Sequence, residues 1–253
     1  MSLGLMLALT LVMVITGLLS GIFGMAGGLI LMGVLLALLP LPAAMALHAV
    51  TQIASNGWRA LLWRDHIQWR AASAFLAGSA VMFAGWMLWQ FVPSKPVALI
   101  LLGLSPFIAR VIPASLRPDT SKFGNGMCYG AVCMALLLLT GVSGPLVDTY
   151  FLGGKLERRQ IVATKAACQI CGHMAKLLYF GGLVEQAGSV DPVMAGLAVM
   201  ASIVGTTCAR PILDRLSDVG FRRWANRIIT AIATVYLAQG SYLLGTAWIT
   251  GAN

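Results

Sequence analysis

The sequence predicts an all-α polytopic membrane protein built as two inverted repeats, each a glycine-broken hairpin followed by three transmembrane helices. Three observations carry that expectation. The composition, 59% hydrophobic and 10% charged with a mean hydropathy of +0.87, is too apolar for an ordinary water-soluble domain. Apolar stretches of roughly the 20 residues that a spanning helix needs follow one another along the whole chain. Two glycine-broken segments recur in register, Gly24 lying over Gly141 at an offset of 117.

Taken in order, the apolar stretches are Leu3 to Leu39, Ala44 to Trp63, Ala71 to Val92, Val97 to Ile112, Gly126 to Leu152, Ile161 to Gly182, Pro192 to Ala209 and Trp224 to Ile249. The first is too long for one straight crossing and is interrupted by Gly24-Met-Ala-Gly27-Gly28. The fifth is interrupted by Gly141-Val-Ser-Gly144-Pro145. Each therefore reads as a hairpin of two helices. The N-terminal stretch lacks the basic head and small-residue cleavage site of a signal peptide, so the chain is expected to be mature as it stands.

Lys and Arg gather at Arg59 to Arg70, Arg110 to Lys122, Lys155 to Arg159 and Arg210 to Arg227, whereas Glu185 and Asp191 mark a loop without positive charge. The positive-inside rule makes the basic side cytoplasmic. Lys95 stands alone on the other side. For four basic loops to share one side, the first and fifth stretches must each return to the side they started from. That places both termini outside and gives the halves, 1–122 and 123–253, opposite orientations in a bacterial inner membrane. The net charge of +9 lies between apolar spans and not along one soluble face, which argues for a bilayer and against nucleic acid as partner.

The register of the repeat continues past the breaks. Ala46 to Arg59 lies over Ala163 to Lys176, pairing Gln52 with Gln169, Arg59 with Lys176, His48 with Lys165 and Asn56 with His173. Polar groups in lipid are costly, so their recurrence in register is not expected of two merely apolar helices. On a helical period His48, Thr51, Gln52, Ser55, Asn56 and Arg59 share one face, as do Lys165, Cys168, Gln169, Gly172, His173 and Lys176. Two such stripes predict a lined path at the meeting of the repeats. The unwound backbone at Gly24, Gly27 and Gly28, and at Gly141, Ser143 and Gly144, offers N–H groups at the start of a half-helix, which suits an anion. The competing reading is packing alone, with Arg59 snorkelling to the cytoplasmic surface. Asp148 either neutralises Lys165 or Lys176 or takes up a proton that couples transport to a gradient.

The Gly-x-x-Gly-Gly break, the Ala-rich polar helix after it and the second copy of both resemble the TauE/SafE family of sulfite exporters over nearly the whole chain. The resemblance implies seven or eight spans and a permease for sulfite or small organosulfonates such as sulfoacetate, isethionate or taurine. This sequence departs from the family's usual pattern: Ala26 stands for a glycine, Gly33 for a proline, and His48 and Lys165 for the glycine at the centre of each motif copy.

Other chemistries find less support. Gly141-Val-Ser143-Gly144 has the form of a rhomboid motif, with His173 on the next helix, so an intramembrane serine protease is the alternative. It explains one copy of a feature that occurs twice. An assembly subunit without transport would leave both stripes without purpose. Cys168-Gln-Ile-Cys171 has redox or metal spacing but no second pair, so the five cysteines are read as packing and no metal or other cofactor is expected. No phosphate-binding loop occurs, which leaves a gradient as the energy source. Small residues on the outer surface allow a homodimer.

Overall fold

The computed structural model describes residues 2–23, 26–112, 118–152, 156–183, 190–209, 212 and 218–250. Gly24, the start of the first break, lies outside them, as do Lys155, Glu185 and Arg210 from the loops. Among the described residues there are ten α-helices and no strand: α1 (Leu3–Phe23), α2 (Ala26–Leu38), α3 (Leu41–Leu62), α4 (Trp69–Trp89), α5 (Lys95–Val111), α6 (Phe123–Thr140), α7 (Gly144–Leu152), α8 (Arg158–Leu178), α9 (Pro192–Cys208) and α10 (Asp218–Thr250). The all-helical expectation and its element order hold.

Local sequence explains the helix ends. α3, α5 and α9 each carry proline in the first turn, where the missing N–H costs nothing. Asp191 caps α9 by accepting from Val193 N and Met194 N. Glu157 and Gln160 close a reciprocal capping box at the start of α8. α6 ends on Gly141, whose φ of +82° is left-handed and suits glycine alone.

Both broken stretches fold as helix pairs. A methyl group at Gly27 would collide with the carbonyl of Thr16 and the amide of Ser20. A continuous helix would place Gly27 about 16 Å from Thr16, so α2 turns back along α1. α2 and α7, at 13 and 9 residues, extend about 20 and 14 Å, less than the roughly 30 Å of a hydrocarbon core. Among the described residues four helices are long and apolar enough to cross a membrane: Leu3–Ile22, Trp69–Trp89, Phe123–Thr140 and Asn226–Ile249. α3 and α8 have the length but carry the polar stripes.

The long helices pack in four principal pairs: α1 with α9, α4 with α6, α3 with α8 and α5 with α10. Within the first two the partners run the same way. Gly17 meets Ser202 and Gly205 while Gly21 meets Thr206 and Ala209; Gly126 meets Ala74 while the carbonyl of Gly130 accepts from Ser79 Oγ. The other two pairs are antiparallel. Arg110 bonds Thr230 while Gly240 meets Pro96; Lys176 bonds His48 while Arg159, at the start of α8, lies over the ring of Trp63 at the end of α3. A buried apolar core from α1, α2, α3, α5, α6 and α9 surrounds the α2–α3 region, and Leu3, Leu7, Leu11 and Ile15 form an exposed apolar stripe on α1. Such a stripe suits lipid and not water.

Candidate functional site

The two polar stripes meet. α3 and α8 pack along their lengths, and His48, Thr51, Asn56, His173 and Lys176 are buried there, with Gln52, Arg59, Lys165 and Gln169 half-buried. Four groupings divide them.

At one end Lys176 crosses from α8 to the first half. Its ammonium donates to His48 Nδ1 at 2.8 Å and to the carbonyl of Gly141 at 2.9 Å. An ammonium only donates, so Nδ1 accepts and Nε2–H donates to the carbonyl of Gly28 at 3.0 Å. Gly141 ends α6, where carbonyls lack helical partners and the helix dipole favours a cation. One chain of hydrogen bonds thus joins α2, α3, α8 and the end of α6, from Gly28 beside the first break to Gly141 in the second. The His173 ring lies 5.7 Å from that of His48, centroid to centroid. Thr51 spends its hydroxyl on the carbonyl of His48, and Gln52 lies against Gly28.

At the other end Arg59 stays within the first half. Nη2 donates to Ser20 and Ser55 Oγ, both at 2.8 Å, and Nη1 reaches Asn56 Oδ1 at 3.4 Å. Ser55 also meets Thr206 of α9 at 3.1 Å. Arg59 Nε is buried with no hydrogen-bond partner among the described residues. Arg59 therefore turns inward to hydroxyl groups. Of the two lysines, Asp148 meets Lys165, with which it forms a salt bridge and a hydrogen bond. Lys176 is engaged elsewhere.

Between these ends a small cavity of about 10 Å³ opens in the second half. That is room for one water-sized sphere. Ser143, Gln169, Gly172 and His173 line it together with Cys133 and Cys168, closed by Phe75 and Ser79 of α4 and Met134 and Leu137 of α6. His173 is 3% exposed, and its Nδ1 has no partner among the described residues. Gly144 opens α7 beside this wall.

The chain matches the family described as sulfite exporter TauE/SafE over residues 9–237. It belongs to that family. No curated protein and no solved structure matches it. Members of the TauE/SafE family are transporters, so this chain is a multi-pass membrane permease and not an enzyme. The family implies an exported anion, in keeping with a site of amides, hydroxyls and cations. Ser143 and His173 share the cavity wall, but no hydrogen bond joins them, so the nucleophile–base contact of a serine protease is missing.

Sequence reasoning missed Ser20, Ser79 and Thr206 as members of the site. Ser20 and Thr206 carry a legible signal. Each repeats a hydroxyl at four-residue spacing on an apolar helix, Thr16 with Ser20 and Ser202 with Thr206, which marks one inward face. Ser79 is alone in its stretch of α4 and has no such signal.

Proposed function

We propose that this chain carries sulfite or a small organosulfonate, such as sulfoacetate, isethionate or taurine, across a bacterial inner membrane by alternating access between halves 1–122 and 123–253. The observation that carries this reading is the antiparallel packing of α3 on α8, with both polar stripes turned toward one another and bridged by Lys176 to His48. The path is lined by His48, Thr51, Gln52, Asn56 and Arg59 from one side and by Lys165, Gln169, His173 and Lys176 from the other. It lies between the breaks at Gly24, Gly27 and Gly28 and at Gly141, Ser143 and Gly144.

Helix pairing supports inverted repeats. If α1 to α5 correspond to α6 to α10, a two-fold axis in the membrane plane maps the α1–α9 pair onto α6–α4 and maps α3–α8 and α5–α10 onto themselves. Self-mapped pairs must then be antiparallel, and both are. Transporters built this way hold substrate near the midplane and rock one repeat against the other. In this arrangement both termini are periplasmic.

The test is thermal stabilisation of the purified protein by sulfite, sulfate, thiosulfate, sulfoacetate, isethionate, taurine and simple carboxylates. Selective stabilisation by a sulfur oxyanion or sulfonate, lost in Gln169→Ala and Lys176→Ala, supports the reading. Equal indifference to every anion overturns it.

A further inference from the structure

The cavity and the Arg59 cluster fall at corresponding places in the two halves. Carried forward by the 117-residue register, the partners of Arg59, namely Ser20, Ser55 and Asn56, become Leu137, Gly172 and His173. All three line the cavity. Gln52 likewise becomes the lining residue Gln169. Arg59 itself becomes Lys176, which turns away to His48 of the first half and to the Gly141 carbonyl of its own half. One volume is filled by a guanidinium in the first half; its counterpart in the second is open.

We propose that the chain carries one anion site, not two: an oxyanion or sulfonate head binds in the second-half cavity against Ser143, Gln169 and His173, while Arg59 permanently fills the counterpart. This rests on the transport reading above. The hydroxyl, amide and imidazole groups present donors to an acceptor-only head group. His173 supplies the independent sign of a ligand, since Nδ1 is buried and unpartnered among the described residues. The cavity holds about one water in this conformation, so an anion must part Phe75, Met134 and Leu137 from α8. That favours compact head groups. In the first half Ser20, Ser55 and Asn56 anchor the guanidinium, which makes Arg59 a positioning residue that ties α1 to α3.

Calorimetric titration of the detergent-solubilised full chain with sulfite tests this, with monodispersity checked for every variant. The wild-type chain is expected to bind one sulfite per chain. Gln169→Ala and His173→Gln weaken binding about ten-fold, the scale of one lost hydrogen bond to a charged group. Gly57→Ala, where a methyl meets nothing, stays within about two-fold. Two sulfites per chain, or binding unchanged in both Gln169→Ala and His173→Gln, overturns the single-site proposal while leaving the transport reading intact. No binding of sulfite by the wild-type chain overturns it together with the sulfite reading on which it rests. Because the stoichiometry needs no substitution, the outcome does not depend on any variant folding.

Discussion

Replacing Asp148 by asparagine removes the carboxylate opposite Lys165 and keeps the side chain's size. The pair is 22% and 15% exposed at Asp148 and Lys165, so it is neither a surface bridge nor a dry one. Exposed pairs contribute about 0–1 kcal/mol, and stranding one partner of a buried pair costs about 3–5 kcal/mol. Asp148→Asn is therefore expected to cost about 2 kcal/mol. Lys165→Met is expected to cost less, because Arg59 also lies within the electrostatic reach of Asp148 and remains to balance it. Losing Asp148 instead leaves two cations without that carboxylate. Reversible unfolding in mixed micelles, run as a double-mutant cycle, measures the coupling directly. A value near 1–2 kcal/mol is expected, with the asparagine variant the weaker of the two singles. Coupling below about 0.5 kcal/mol, or the reverse order, would refute the assignment of Asp148 as the partner of Lys165.

Lys176→Met keeps side-chain length but strands His48 Nδ1 and the Gly141 carbonyl; transport is expected to fall at least about ten-fold in proteoliposomes while the protein stays monodisperse. Gly27→Ala forces a methyl against Thr16 and Ser20 and is expected to cost about 1–3 kcal/mol in the same unfolding assay, whereas Gly57→Ala, where a methyl meets nothing, should be neutral or slightly stabilising. In a cysteine-free background, Ser94→Cys is expected to react with an impermeant maleimide from the periplasm and Asp65→Cys only after permeabilisation; the opposite pattern would invert the orientation derived from the basic loops. Ser143→Ala is expected to lower transport without abolishing it, and its retention of flux would be measured beside a peptide-cleavage assay that stays at background for both proteins.

The helices, both breaks and the faces of α3 and α8 were legible because each depends on local sequence: apolar length, glycine placement and a helical period. Partner choice was not. His48 finds Lys176 because α3 and α8 pack antiparallel, a relation between segments more than 100 residues apart, and with Lys176 so engaged Asp148 of α7 pairs with Lys165, 17 residues on in α8. The register paired Arg59 with Lys176, yet these cations do different things, one turned to serines of its own half and one bridging the halves. The difference follows from what faces each: Ser20 and Ser55 offer acceptors to Arg59, whereas the matching Leu137 and Gly172 offer Lys176 no side-chain acceptor. Sequence spacing shows that two residues correspond; their partners depend on the neighbouring helices.

Anion flux through the purified chain in proteoliposomes tests the central claim most directly. Sulfite and organosulfonates are loaded on either side of the bilayer and followed with and without a proton gradient. Saturable flux of one of these anions is expected, absent from empty liposomes and reduced at least about ten-fold by Lys176→Met. Flux indistinguishable from empty liposomes for every anion, with correctly folded protein present, would contradict the assignment of this chain as an anion permease.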